Sequence, residues 1–257
     1  MTDTHTHLYL EEFDNDFDET IARAESAGVD TFIFPAIEQS SFEKMMSAQL
    51  RYPQKIFSAI GLHPTSVNEK TYKQELDFVE KTIKNFSFVA IGEIGIDCYW
   101  TTENIVWQRL VFERQLEIAA EYNLPVIIHA RNSFDEIFAI LDKRNDLNTR
   151  GIFHAFSGTV ADYEKIKSYK NFYFGLGGIV TFKNSGIADI VEKMTMDEIV
   201  VETDSPYLTP TPFRGKRNES ANIILIAKKI AEIKKINIET IAEKTTKNAE
   251  KIFSLKR

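Results

Sequence analysis

An α/β fold of the single-domain (β/α)8 barrel type, with additional helices at its C-terminal end, is what the sequence predicts, and three observations predict it. Short apolar runs alternate with longer amphipathic stretches, the mark of βα units. The runs are near-continuously apolar and rich in Val, Ile and Phe, as parallel strands buried on both faces require. Eight such units share 257 residues, or about 32 each, a comfortable size for one repeat of a closed barrel. With 43% apolar residues the chain can fill one large core.

The first strand is DTHTHL (3 to 8), the least apolar of the eight. The others are VDTFIFPA (29 to 36), KIFSAIGLH (55 to 63), FVAIGEIGID (88 to 97), LPVIIHAR (124 to 131), RGIFHAF (150 to 156), NFYFGLGGI (171 to 179) and EIVVETD (198 to 204). Helical spacing of apolar residues runs over 16–27, 41–51, 73–85, 106–122, 134–144 and 161–168, and again over 221–234 and 238–254. No repeat, low-complexity segment or Pro/Gly-rich linker divides them, so residues 1–257 are expected to form one domain.

The formal charge of −7 and pI near 5.4 exclude a broad basic surface coating nucleic acid, but not a small phosphate site. No apolar run of about 18 residues and no signal-peptide pattern is present, so a soluble, cytoplasmic protein is expected, with no membrane partner. The single cysteine, Cys98, builds no disulfide framework and is read as a packed thiol in a reducing compartment.

Chemistry in such a barrel gathers at the C-terminal ends of its strands. All five histidines fall there: His5 and His7 on the first strand, His63, His129 and His154 on the third, fifth and sixth. Glu93 lies on the fourth and Asp204 ends the eighth. His5 and His7, spaced by two, point the same way, and Glu202 and Asp204 repeat that spacing on the strand that neighbours the first in a closed ring. Imidazole and carboxylate together make a ligand set for divalent metals, and a carboxylate such as Glu93 can bridge two ions. A carboxylate in an apolar run is costly to bury without a cation. Asp97 is read as structural, bonding loop amides in an Asx-turn.

Two stretches have the look of substrate machinery. Gly175-Leu176-Gly177-Gly178 offers unshielded amides, either an anion cradle or a plain turn. Phe213-Arg214-Gly215-Lys216-Arg217-Asn218 puts three cations beside the mouth, where Arg can grip phosphate bidentately, and Arg131 is a further phosphate candidate. Trp100 and Trp107 can stack bases at the rim, but ordinary packing is the role favoured for both.

In combination, DTHTHL, GLHP (61 to 64), IGEIGID (91 to 97), IIHAR (127 to 131), HAFSGT (154 to 159), GGIVTFKN (177 to 184) and ETDSPYLTPTPFRGKRNES (202 to 220) resemble the TatD family of metal-dependent hydrolases. The resemblance spans nearly the whole chain. It implies a TIM-type barrel with a site for two divalent ions, Zn²⁺, Mn²⁺ or Mg²⁺, or for three, and a deoxyribonuclease; exonucleolytic action is expected, and the acidic overall charge favours short or single-stranded ends over long duplex. One ion is then expected on His5, His7, Glu93 and Asp204, the second on Glu93, His129 and His154, with His63 on substrate or an outer metal. Asp204 takes the proton of the attacking water, Glu93 and Glu202 complete the catalytic group, and Arg131, Gly177, Gly178, Arg214, Lys216 and Arg217 bind substrate. The partner implied is DNA or a small phosphodiester, with no obligate protein partner. Cys98 stands where the family commonly has Tyr, and Tyr99 follows it, which bears on fine specificity rather than on the metal site. The alternative is hydrolysis of a carboxylic ester or amide, such as D-aminoacyl-tRNA deacylation. Related barrels of that kind bridge their metals with a modified lysine on strand four, where this chain has Glu93.

Overall fold

In the computed structural model, which describes residues 1–255, the sheet order is the sequence order. The strands are β1 (Thr2–Asp3), β2 (Thr31–Pro35), β3 (Ile56–Ile60), β4 (Ala90–Asp97), β5 (Val126–Arg131), β6 (Gly151–Phe153), β7 (Phe172–Leu176) and β8 (Ile199–Val201), and each of the first seven pairs in parallel with its successor. Between them lie α1 (Phe17–Ser26), α2 (Phe42–Arg51), α3 (Tyr72–Thr82), α4 (Ile105–Glu121), α5 (Phe134–Lys143), α6 (Val160–Ser168) and α7 (Ile187–Lys193); α8 (Ile223–Lys234) and α9 (Ile238–Phe253) follow the last strand. The predicted barrel with added C-terminal helices is what forms.

The ring joins β8 to β1 through a thin seam. The amide of Thr4 donates to Val201 O at 3.1 Å, that of Asp204 to His5 O at 2.9 Å and that of His7 to Ser205 O at 2.7 Å, with one parallel bridge between Thr6 and Ser205. Asp3 reinforces the seam by accepting from the Thr203 amide at 3.0 Å and its hydroxyl at 2.6 Å.

Two apolar layers follow from strand alternation. Phe32, Phe34, Ile128, Phe174 and Val201 pack with the helices, whereas Ile33, Ala59, Ala90, Ile127, Ile152 and Val200 form a separate cluster with Ala249, Ile252 and Phe253 of α9. Asn248 anchors that helix by donating to the carbonyls of Met196 and Ile199, each at 2.7 Å.

Several expectations need correction: the third, sixth and eighth strands end at Ile60, Phe153 and Val201, short of His63, His154 and Asp204. The first strand ends at Asp3, so His5 and His7 stand just beyond it, in the loop. The seventh run is strand only to Leu176, because Gly178–Thr181 coil into a 3-10 turn. The helix α7, seven residues long, is absent from the sequence reading; two turns are too few to display a 3.6-residue period.

Candidate metal centre

Glu93 sits in an irregular stretch of the sheet, where the β4–β5 register shifts between Ile91 and Ile94. Such a shift re-aims a side chain. The backbone here bonds instead to Ala36, with Glu93 N to Ala36 O at 3.1 Å and Ala36 N to Gly92 O at 3.2 Å. The buried carboxylate becomes the hub of the mouth. Its Oε2 faces His5 Nε2 at 3.0 Å and His7 Nε2 at 3.6 Å; its Oε1 faces His129 Nδ1 at 2.8 Å, His154 Nε2 at 2.9 Å and His63 Nε2 at 3.3 Å. Asp204 Oδ1 lies 3.6 Å from Nε2 of both His5 and His7.

The second nitrogen fixes the tautomer of four of the rings, whereas that of His5, Nδ1, is buried without a hydrogen-bond partner among the described residues. Tyr9 spends its one hydroxyl proton on Pro35 O at 2.6 Å, so at 3.0 Å it must accept from His7 Nδ1. His154 Nδ1 faces Glu202 Oε1 at 3.1 Å, and His129 Nε2 faces Asp97 Oδ2 at 2.9 Å. Ionised carboxylates only accept. In their neutral forms, therefore, His7, His129 and His154 all carry their proton on the outer side and turn a bare lone pair inward. His63 is the reverse: its Nδ1 accepts the Thr65 amide at 3.2 Å, leaving Nε2–H to donate inward.

Lone pairs converging on carboxylate oxygens repel one another unless a cation lies between them. This donor set fits a metal site, and the groups whose ligand atoms lie within 4.8 Å are His5, His7 and Glu93; His63, Glu93 and His129; and His5, His154 and Glu202. Titration divides the rings: burial holds His5 and His63 below the usual imidazole value, whereas His7, His129 and His154 lie above it. Burial pushes His154 down, but Glu93 and Glu202 outweigh it and hold the ring well above its usual value. Burial likewise opposes the charging of His7 and His129, and the hydroxyl and carboxylates around them overcome it. Burial would raise the Glu93 carboxyl, yet His154, His63 and His5 hold it well below the ordinary range.

The structure brings His5, His7, His63, Glu93, His129, His154 and Asp204 together. All but His5 line a cavity of about 540 Å³, which Arg131, Tyr207 and Trp100 also border. Asp204 holds a left-handed φ of 56°, a conformation that Asp tolerates better than most residues. Glu202 and Asp204 do not share a face as expected, because both lie past β8, and the turn at Asp204 breaks the two-residue alternation. Glu202 is fully buried behind His154, where its Oε1 accepts from the Ala155 amide at 2.6 Å. A Cβ on Gly175 would meet Glu202 Oε2 at 2.3 Å, so only glycine leaves that carboxylate room.

Several predicted substrate residues stand elsewhere. Arg217 is not free at the mouth: it is bidentate to Asp16 at 2.7 Å for each nitrogen, and it covers the Phe13 ring. Lys216 is exposed, above Phe213. Arg214 stacks on Phe182 at 3.8 Å and borders a different cavity, of about 450 Å³. Gly178 serves close packing, since a Cβ there would lie 1.8 Å from Leu208 O, and Gly177 faces Glu202. Asp97 does form the expected Asx-turn, accepting from the amides of Tyr99 and Trp100 at 2.9 and 3.4 Å. Its hold on His129 and that of Tyr9 on His7 were missed, although both stand at even spacing from a site residue. Trp107 packs on Tyr72 as expected, but Trp100 is 69% exposed.

The chain is similar to known proteins along nearly its whole length. The model of the family described as TatD related DNase matches residues 2–254. The chain is 36% identical to the uncharacterized metal-dependent hydrolase YabD of Bacillus subtilis over 256 residues, covering 99% of each. Its fold superposes on YjjV, a TatD homolog from Escherichia coli, with a TM-score of 0.90 at 29% identity, over 100% of this chain and 98% of the other. A hydrolase TatD family protein of Entamoeba histolytica shares the fold at a TM-score of 0.83 and 23% identity, over 98% and 97%. From its matched residues, its relatives and its barrel, this chain belongs to the TatD family of metal-dependent hydrolases.

Proposed function

We propose that the protein hydrolyses phosphodiester bonds of DNA, at short or single-stranded ends. The observation that carries the reading is the Glu93 carboxylate, shared by inward-turned imidazoles on both of its oxygens. His5, His7, Glu93 and Asp204 would hold one divalent ion, and Glu93, His129 and His154 a second. Such ions supply an activated water and neutralise charge on the attacking and leaving oxygens.

The remaining chemistry belongs to the side chains. Asp204 borders the cavity with Oδ1 3.6 Å from the imidazoles of both His5 and His7, and a carboxylate held at one oxygen has a second that can accept a proton from water. His63 presents an N–H, suited to a phosphoryl oxygen rather than to a cation. Arg131 lies on the same wall and can bind a non-reacting phosphate. Glu202, Asp97 and Tyr9 act as positioning residues, fixing the tautomers of His154, His129 and His7.

Purified protein, stripped and reloaded with Zn²⁺, Mn²⁺ or Mg²⁺, should release nucleotides from single-stranded DNA faster than from duplex DNA, RNA or aminoacyl-tRNA. Asp204→Ala should abolish release while leaving the circular dichroism spectrum intact. Turnover of aminoacyl-tRNA alone would overturn the proposal in favour of ester hydrolysis.

A further inference from the structure

The loop after β4 presents two aromatic rings to solvent beside the metal centre, Tyr99 at 52% and Trp100 at 69% exposure. They are held in a defined arrangement. The Asp97 carboxylate bonds both of their amides, Asp97 pairs with Arg131 in the sheet register, and the Cys98 amide donates to Arg131 O at 2.9 Å. The Arg131 guanidinium lies 3.7 Å from the Tyr99 centroid and 5.3 Å from that of Trp100, and the two rings meet edge to face at 4.9 Å.

This arginine is a cation without a carboxylate. Arg109 nearby grips Glu136 and Arg217 grips Asp16, whereas Arg131 forms no ion pair among the described residues. A guanidinium packed on aromatic faces keeps its N–H edge for an anion. Trp100 also borders two cavities at once, the central one and a neighbour of about 310 Å³ that includes Thr65, Thr101 and Asn104. The Asn104 side chain makes no hydrogen bond within the described residues, and its amide offers a donor beside an acceptor. An apolar face, a cation and a paired donor and acceptor match the ring, phosphate and edge of a nucleotide.

We propose that Trp100, braced by Tyr99 and Arg131, is a platform for one unstacked base of a single-stranded substrate. The base edge turns toward Asn104 in the side cavity, and the flanking phosphate rests on Arg131. This inference rests on the phosphodiesterase reading and deepens it: a base held in a duplex stack has no face to give the indole, so unpaired ends are selected.

The chain has two tryptophans, so Trp107→Phe leaves Trp100 as sole indole reporter. Zn²⁺-loaded protein of that background should be titrated with a phosphorothioate-linked thymidine trinucleotide and with its abasic counterpart of equal charge. The trinucleotide should quench the fluorescence and bind roughly 10-fold or more tighter than the abasic strand, as expected for one stacked base. Trp100→Ala in the wild-type chain, followed by anisotropy of labelled strands, should bring the two dissociation constants together, and Trp100→Phe should restore part of the difference. Equal affinities in the parent protein, or a base preference that survives Trp100→Ala, would refute the platform. Parallel assay of the wild-type protein on bis(p-nitrophenyl) phosphate, a diester without bases, separates the two claims. Turnover there without base preference sinks the platform alone, and base preference without turnover supports the platform while sinking the phosphodiesterase reading.

Discussion

Replacing Asp97 by Asn tests whether His129 is prepared as a ligand by the group behind it. In the native chain Asp97 divides its oxygens, Oδ2 to His129 Nε2 at 2.9 Å and Oδ1 to the amides of Tyr99 and Trp100. Asparagine keeps one oxygen for those amides and turns its NH₂ toward the imidazole. A donor at that place demands an unprotonated Nε2, which moves the ring proton to Nδ1, the atom 2.8 Å from Glu93 Oε1. The inward lone pair is then lost. Rotating the amide would recover it only by giving up the two turn bonds, at about 1 kcal/mol each. A penalty of about 2 kcal/mol is a roughly 30-fold loss of metal affinity, within the range of about 10- to 100-fold typical for partners of ligating histidines. Competition for Zn²⁺ between the protein and a chromophoric chelator measures it, with circular dichroism as the check on folding. An Asp97→Asn protein that binds Zn²⁺ within threefold of the parent would refute the tautomer argument.

Divalent ions should raise the melting temperature of stripped protein. At about 100 times the dissociation constant the gain is about 2.7 kcal/mol, or roughly 5–10 °C for a chain of this size, read by scanning calorimetry with and without chelator. Arg217, against burial and with help from Arg23, holds the Asp16 carboxyl well below the usual carboxylate range. Its contribution is therefore complete above about pH 5, begins to fade near 3.9, where the unfolded carboxyl titrates, and is lost only as pH falls on through the lower folded value. Asp16→Asn should remove about 1 kcal/mol at pH 7 and a smaller amount at pH 2.5, so equal losses in urea melts at both values would contradict the pairing. Gly178→Ala should lower the urea midpoint by about 1–3 kcal/mol of stability, because its Cβ runs into the Leu208 carbonyl; an unchanged midpoint would show that the loop yields freely.

The barrel was legible because its strands carry an unbroken apolar signal, and the candidate metal-binding residues because the fold sends strand ends to one place. What escaped the sequence depends on direction rather than on type. Glu202 and Asp204 share a spacing, yet they diverge once the chain leaves β8 and Asp204 turns left-handed. Arg217 looked like its neighbours in a basic run, but its partner Asp16 lies 201 residues away. Trp100 and Trp107 sit in one short segment, and only the packing of Trp107 on Tyr72 distinguishes them. Asp97 was within reach, since it stands on the same strand face as Glu93, four residues on.

The thin joint between the first and last strands has a further consequence. His5 and His7 stand on one side of it and Asp204 on the other, so any cation gripped by all three would work as a clasp across that joint. Catalytic competence and mechanical closure would then share one fastener. A chain deprived of its ions should hold more loosely along this line, and residues that tune ion retention would be under selection for endurance as much as for speed.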